Sequence, residues 1–567
     1  MVSLNGLVRY GAVTLVAAGQ AAALMPINLA MHAVNLHARP DPEQRVSVKQ
    51  YEDKYPTIKA YNLSVPIDHF HNESRYEPHS SGSFPLRYWL DISNYKPGGP
   101  VIVLHSGEYE STERLPYLQH GIVPILTKAT GGVGVVMEHR YYGTSFPVPN
   151  LTTENMRFLS TEQALADTAY FAKHVQFPGL EHLELTASGT PWIIYGGSYA
   201  GAFAAFTRKL YPDVYWGAIS SSGVTAAIED LFQYFEAARQ YAPGDCGPTT
   251  QKITHIVDSV LFGDDRAKVR RFKELFGLGA LDDDEFATTI TRGLYGLQST
   301  NWDPEEDVSS FGIYCAVVTS NVQLFASTTH LIPTVQDLVA KAGFAAQSEV
   351  LSVRMLNYIG YVRDYVKTDL KKGCKGKSVL ECFSSRYTPN DTSLNAGWLR
   401  SWSYQVCTQW GYFVTGSGTP KDQLPMISRA ITLESASSHC KRLFNITASP
   451  DIESINKLGG FNFSYPRLAI LDGLQDPWRS ATPHASGLPG RKSTTSEPFL
   501  LIDWGVHHWD EFGLPEDMHI EGLPPPQVTE AHRAEIEFVT AWLKDWKEEN
   551  GIPRLQSMDG EETTGEL

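Results

Sequence analysis

The chain has 567 residues, 42% of them hydrophobic and 19% charged, and its 47 basic and 63 acidic side chains leave a net charge of −16. That length exceeds one ordinary domain and suffices for a large core. The acidic surface argues against nucleic acid or an anionic membrane as the main partner.

In chain order, Arg9 is followed by an apolar, small-residue stretch from Tyr10 to Leu24 with Ala21-Ala22-Ala23 near its end. This predicts a secretory signal peptide over about residues 1–24, too short for a membrane span. No other segment is long and apolar enough to cross a bilayer, so no stable membrane association is expected. Six sequons support the secretory route: Asn62, Asn72, Asn150, Asn390, Asn445 and Asn462, each two residues before Ser or Thr.

From about residue 50 to 224, strand and helix signals alternate. Val101–Leu104 and Val133–Met137 are apolar runs of buried-strand type. Ser160 opens a helix with Gln163 at capping-box spacing, and Leu165, Ala169 and Ala172 share one face. Then comes Pro191-Trp192-Ile193-Ile194, running into Tyr195-Gly196-Gly197-Ser198-Tyr199-Ala200-Gly201 and a helix to about Leu210. A strand, a tight glycine turn with serine at its tip and a helix make the nucleophile elbow of an α/β-hydrolase, here G-x-S-x-A rather than G-x-S-x-G. Tyr215–Ser220 reads as a further strand.

Over 225–440 the texture changes to charged helical stretches, Arg266–Leu275 and Leu351–Leu370, and all six cysteines fall here: Cys246, Cys315, Cys374, Cys382, Cys407 and Cys440. In an oxidising compartment they allow three disulfides in 15 pairings, Cys374 and Cys382 being close enough to close a small loop. No CxxC or HExxH spacing suggests zinc, so no metal is expected. The alternation resumes over 441–552 with Arg467–Leu471 and Pro498–Ile502. A last helix, about Glu530 to Glu548, places Ile536, Val539, Leu543 and Trp546 on one face, and Gly551 and Pro553 end it. The acidic tail, 553–567, is expected to be disordered. The expected fold class is α/β: an α/β-hydrolase core with a mainly parallel sheet and an inserted, mostly helical cap.

A serine hydroxyl needs a base to accept its proton, and the base needs an acidic partner to orient it. In this fold the chain order is serine, acid, histidine, with the last two just after late strands. Asp476 follows the strand ending at Leu471, with Asp472 as competitor. His507 follows the strand ending at Ile502, with His508 as competitor. The oxyanion of a tetrahedral intermediate needs two backbone N–H donors. Tyr199, after the serine, is one candidate, and Gly107 or Glu108, in the loop after Val101–Leu104, is the other.

These blocks resemble the secreted and lysosomal serine peptidases that cleave after proline: Pro-X carboxypeptidase, dipeptidyl peptidase II and the fungal acid prolyl endopeptidases. The resemblance rests on Ser106-Gly107-Glu108 with Arg114-Leu115-Pro116, Glu138-His139-Arg140-Tyr141-Tyr142-Gly143, Ser160 through Asp167, Gly196-Gly197-Ser198-Tyr199, Trp402 through Thr408, Asp476-Pro477-Trp478 and His507-His508-Trp509-Asp510. It covers about Tyr51 to Trp546. It implies Ser198, Asp476 and His507 as triad, a cap between core strands, and Trp478 lining a slot for the substrate proline. Ser106-Gly107-Glu108-Tyr109 looks like the fungal branch. Two departures stand out. The family's Cys-Thr-Glu is Cys407-Thr408-Gln409 here, which bears on pH optimum or end-group recognition. The glycine run after Asp-Pro-Trp is Arg479-Ser480-Ala481, at the rim of the expected slot.

The expected function is a secreted (or vacuolar, lysosome-like) serine peptidase acting on proline-containing peptides, without metal or cofactor, with a homodimer compatible. A carboxylesterase or lipase on the same fold is the alternative, and a non-catalytic glycoprotein the third reading. Carboxypeptidase, dipeptidyl-peptidase and endopeptidase modes share the same triad and are not separated by these residues.

Overall fold

Alternating β-branched and aromatic runs become the strands of one twisted sheet in the computed structural model, which describes residues 58–551 apart from 305, 308, 309, 388, 516, 517 and 519. The predicted signal peptide and acidic tail lie outside the described residues. The strands are β1 (Ala60–Pro66), β2 (Ser83–Asp91), β3 (Val101–His105), β4 (Val133–Met137), β5 (Trp192–Gly197), β6 (Gly217–Ser221), β7 (Ile228–Asp230), β8 (Gly411–Phe413), β9 (Leu468–Gly473) and β10 (Phe499–Ile502). Eight of them order as β1-β2-β4-β3-β5-β6-β9-β10. The two β2 ladders, to β1 and β4, are antiparallel; from β4 to β10 every pairing is parallel. Strands β7 and β8 pair separately.

The parallel strands are buried on both faces, and their side chains alternate between two cores, as the two-residue period of a strand requires. Val101, Val103, Trp192 and Ile194 enter one core; Ile102, Leu104, Ile193 and Tyr195 enter the other. The helices that matter for the site are α1 (Ile122–Thr130), α2 (Thr161–His174), α3 (Tyr199–Leu210), α4 (Cys246–Leu261), α5 (Arg266–Leu275), α6 (Ser348–Lys371), α7 (Gly397–Gln405), α8 (Leu433–Phe444) and α9 (Pro526–Glu549). Ala202, Phe203 and Phe206 of α3 fill the first core; α1 and α9 fill the second.

Ser160 caps α2 by accepting the Gln163 N–H. The reciprocal half of the expected capping box is not made, because the Gln163 side-chain oxygen accepts the His69 N–H instead. Helix α9 presents most of the expected face to the second core, with Val539 and Leu543 buried and Ile536 packed against it. It buries Val528, Ala531, His532, Glu535, Phe538, Val539, Trp542 and Leu543, whereas Ile536 and Trp546 are only partly covered. The buried stripe contains His532 and Glu535, which an apolar pattern cannot register.

Between β6 and β9 the chain leaves the sheet and is mainly helical, including α4 to α8. All six cysteines lie in this excursion, paired Cys246–Cys315, Cys374–Cys382 and Cys407–Cys440. Helix α8 runs across the expected 440/441 boundary. The excursion departs at the carboxyl end of β6, the sheet end where α/β folds place their sites, and the chain re-enters the sheet at the amino end of β9. Among the described residues no helix is long and apolar enough to cross a membrane.

Candidate active site

Ser198 stands between β5 and α3 with φ 61° and ψ −127°, a conformation that costs roughly 1–3 kcal/mol and is held by its surroundings. Its N–H donates to the Ser221 carbonyl at 2.9 Å, tying the elbow to β6. Glycine is obligatory beside it. A Cβ on Gly196 would lie 2.0 Å from the Ala200 carbonyl oxygen, and one on Gly201 2.7 Å from that of Ser221.

Asp476 and His507 meet above the sheet end. Asp476 leaves β9 through a short turn that it caps itself: Oδ1 accepts the Trp478 N–H at 2.8 Å. Asp476 thus both makes the Asp-Pro turn and contacts His507. His507 follows β10, its Nδ1 2.8 Å from Asp476 Oδ2. An ionised carboxylate requires Nδ1 to be the protonated nitrogen, which leaves Nε2 with its lone pair. Nε2 is buried with no hydrogen-bond partner among the described residues. Burial pushes the His507 imidazole below the ordinary histidine value, although Asp476 pulls the other way. Burial alone would raise Asp476, but His507, the Ser222 hydroxyl and the Trp478 N–H hold it below the usual carboxylate range.

The competitors have other partners. His508 Nδ1 lies 2.8 Å from Glu511 Oε2, and its N–H donates to the Ser222 Oγ at 2.9 Å. Asp472 pairs with His484 at 2.6 Å. Ser222 and Glu511 are absent from the sequence expectations. Ser222 lies one residue past β6 and Glu511 one residue past the His-His-Trp-Asp block, and neither carries a spacing signal.

The two oxyanion candidates after β3 separate clearly. Gly107 has φ +68°, and a Cβ there would sit 3.2 Å from the Ala200 Cβ, so glycine lets this loop close on the elbow. Its own N–H, however, donates to His105 Nδ1 at 3.2 Å. Glu108 is the remaining candidate on this loop. Its buried carboxyl is pushed up to about 7 by burial, against its own backbone N–H and Arg114. Tyr199 opens α3, where first-turn N–H groups have no carbonyl within the helix. Its ring anchors the elbow: the hydroxyl lies 3.1 Å from His139 Nε2 and accepts from Gln405 Nε2 at 2.8 Å.

Trp478 is buried, edge-on to Tyr234 and Tyr412 at 5.3 and 5.2 Å between ring centres. Its indole N–H donates to Gln298 at 2.6 Å, and Gln298 also accepts from the Tyr234 hydroxyl. Three residues of the inter-strand excursion thus hold it, and none was expected from sequence. Gln409 is not at this cleft: it accepts the Thr161 N–H at 2.9 Å and its amide faces Glu162 at the start of α2. A neutral amide suits that place, because a glutamate would confront Glu162. The contacts of Gln409 are with the start of α2 and with Ser454. The other family blocks interlock in the same way. Arg87 clamps Glu138, and Arg140 clamps Asp167 at 2.5 and 2.6 Å.

Of the sequons, Asn62, Asn72, Asn390, Asn445 and Asn462 are exposed. Asn150 is half-buried, and its Oδ1 accepts from Thr152 and Asn155.

The family model for serine carboxypeptidase S28 matches residues 65–278 and 308–517, which include Ser198, Asp476 and His507. The chain belongs to the serine carboxypeptidase S28 family. Among S28 relatives, a probable extracellular serine carboxypeptidase of Arthroderma benhamiae is 44% identical over 88% of this chain and 69% of its own length. The serine protease vicPa of Bipolaris victoriae is 28% identical over 82% and 86%. The thymus-specific serine protease of Mus musculus is 25% identical over 86% and 87%. As an S28 member the chain is a serine peptidase on an α/β-hydrolase core.

Proposed function

We propose that the chain is a secreted peptidase that hydrolyses bonds on the carboxyl side of proline, with Ser198 as nucleophile, His507 as general base and acid, and Asp476 as its orienting partner. The observation that carries this is the His507 ring, bound at Nδ1 by Asp476 and left with a buried, unpartnered Nε2. Ser198 Oγ attacks the scissile carbonyl carbon as His507 Nε2 takes its proton. The same proton passes to the leaving amine as the C–N bond breaks, and an acyl-enzyme remains. Water then gives a proton to Nε2 and attacks the ester carbonyl, which releases the acid and restores Ser198. The Tyr199 and Glu108 N–H groups are assigned to the oxyanion.

Trp478, with Tyr234 and Tyr412, is assigned to the wall against which the proline ring packs. A ring with fixed φ suits a rigid aromatic surface. Three disulfides favour an oxidising compartment, and the 44%-identical relative is named extracellular; both support secretion.

Mass-spectrometric product analysis on a proline-peptide library, wild type against Ser198→Ala between about pH 4 and 7, tests this. Cleavage after proline by wild type alone is the expected result, and product lengths then assign end-trimming or internal cleavage. Undiminished cleavage by Ser198→Ala overturns the assignment. Turnover of acyl esters without cleavage of any proline peptide moves the site to the esterase reading.

A further inference from the structure

Away from the cleft, the loop between β1 and β2 brings together Asp68, His71 and His79, whose candidate ligand atoms all lie within 4.8 Å of one another. The carboxylate is built rather than loose. Its side chain is fully buried, and Oδ1 accepts the Phe70 N–H at 2.9 Å and the Gln163 amide at 2.7 Å. Gln163 is itself held, its own oxygen accepting the His69 N–H at 2.9 Å. Oδ1 is thereby occupied, and Oδ2 faces the loop's imidazoles, with His79 Nδ1 at 2.7 Å. The His71 and His79 rings stand 5.5 Å apart between centres. His71 is exposed and the His79 side chain keeps a quarter of its surface open, so an ion has a path in.

We propose that Asp68, His71 and His79 form a site for a borderline divalent transition metal, zinc above all, that ties this loop together and to α2. Two imidazoles and one carboxylate are a common protein donor set for zinc, with water completing a tetrahedron. Two nitrogen donors disfavour calcium and magnesium, which take oxygen. Tetrahedral zinc with bonds of about 2.0–2.1 Å needs its ligand atoms about 3.3 Å apart, so His71, the exposed member, swings inward. The hydrogen bonds to Asp68 Oδ1 are the outer partners that fix a ligating carboxylate in place. The spacing, three residues and then eight, belongs to no short metal motif, so a sequence scan passes over it. The other cluster of this kind, Cys407, His439 and Cys440, is excluded because its two sulfurs are bonded to each other.

The full secreted chain, freed of metal with EDTA and exchanged into buffer, is titrated with zinc chloride by calorimetry, and its melting temperature is followed in parallel. One equivalent of zinc binds to wild type and raises the melting temperature, while calcium chloride does not. His71→Ala and His79→Gln each weaken zinc binding at least ten-fold. His71→Ala keeps the melting temperature of metal-free wild type, because that ring is exposed; it decides the matter even if His79→Gln disturbs the loop. Zinc binding of equal strength and stoichiometry in His71→Ala, or no zinc binding by wild type, overturns the proposal.

Discussion

Strand β9 ends in two buried acid–histidine pairs only four residues apart, and they behave oppositely. Asp476 faces His507 at 2.8 Å, and Asp472 faces His484 at 2.6 Å. Asp476 has three donors around it and stays below the usual carboxylate range. Asp472 has less compensation and is pushed up to about 6 by burial, against His484. The His484 ring is stacked on Phe499 at 3.6 Å between centres, and His507 has a buried Nε2 with no hydrogen-bond partner. A short carboxylate–imidazole contact therefore says little about catalysis. How far the surrounding donors hold the carboxylate ionised is what separates these two pairs.

Removing the charge from each pair in turn breaks or sustains the comparison most sharply. On the proposed roles, Asp476→Asn lowers kcat about 10⁴-fold, because the wrong imidazole tautomer then faces the serine. Asp472→Asn leaves kcat within a few-fold. Steady-state rates on a proline peptide, with circular dichroism to check folding, measure both. Equal losses in the two variants would mean that the contrast drawn between them is wrong.

A second, smaller effect lies in the pH profile. His507 works as a base only when neutral, and burial holds its ionisation below the ordinary histidine value of about 6.5. The acid limb of kcat/KM should therefore fall below pH 6.5, and activity should persist in mildly acidic solution. Asp476 is the largest influence opposing that displacement, so the residual activity of Asp476→Asn should have its acid limb lower still. A limb that moves upward in the variant, or one above pH 6.5 in wild type, contradicts this account of the site.

The Asp476–His507 pair is readable from the chain because each member directly follows an apolar strand run, and the strand order forces such loops together at one sheet end. The Asp472–His484 pair is not, since His484 has no strand signal before it. Ser222 and Gln298 escape for a related reason. They reach the site through side-chain contacts between segments far apart in sequence, and a hydroxyl or amide has no periodicity. The polar part of the buried face of α9 has the same origin: Glu535 and His532 are buried beside the expected apolar residues, with His532 bonding the Asp510 carbonyl at 2.8 Å. Gln409 shows the converse. From sequence, its departure from the family pattern points to substrate or pH, and the fold adds that its side chain contacts the start of α2.

The smallest expected effect concerns stability and belongs to Asp472. Its carboxyl is raised in the folded protein from an ordinary value of 3.8 to about 6, so the folded state holds that proton more tightly than the unfolded chain. The stability this supplies is complete below pH 3.8, drains away as pH rises toward 6, and is gone above it. Each pH unit between the unfolded and folded values corresponds to about 1.4 kcal/mol. Asn cannot titrate, so Asp472→Asn should flatten the fall in melting temperature between about pH 4 and 6.5 while leaving kcat in place. The slope should not vanish, because Glu108 and Glu113, both raised to about 7 by burial, lose stability in the same direction and remain in the variant. Melting curves of wild type and Asp472→Asn across this window test it. Parallel curves would show that His484 compensates Asp472 as fully as His507 and its neighbours compensate Asp476, and the electrostatic distinction between the two pairs would then fall.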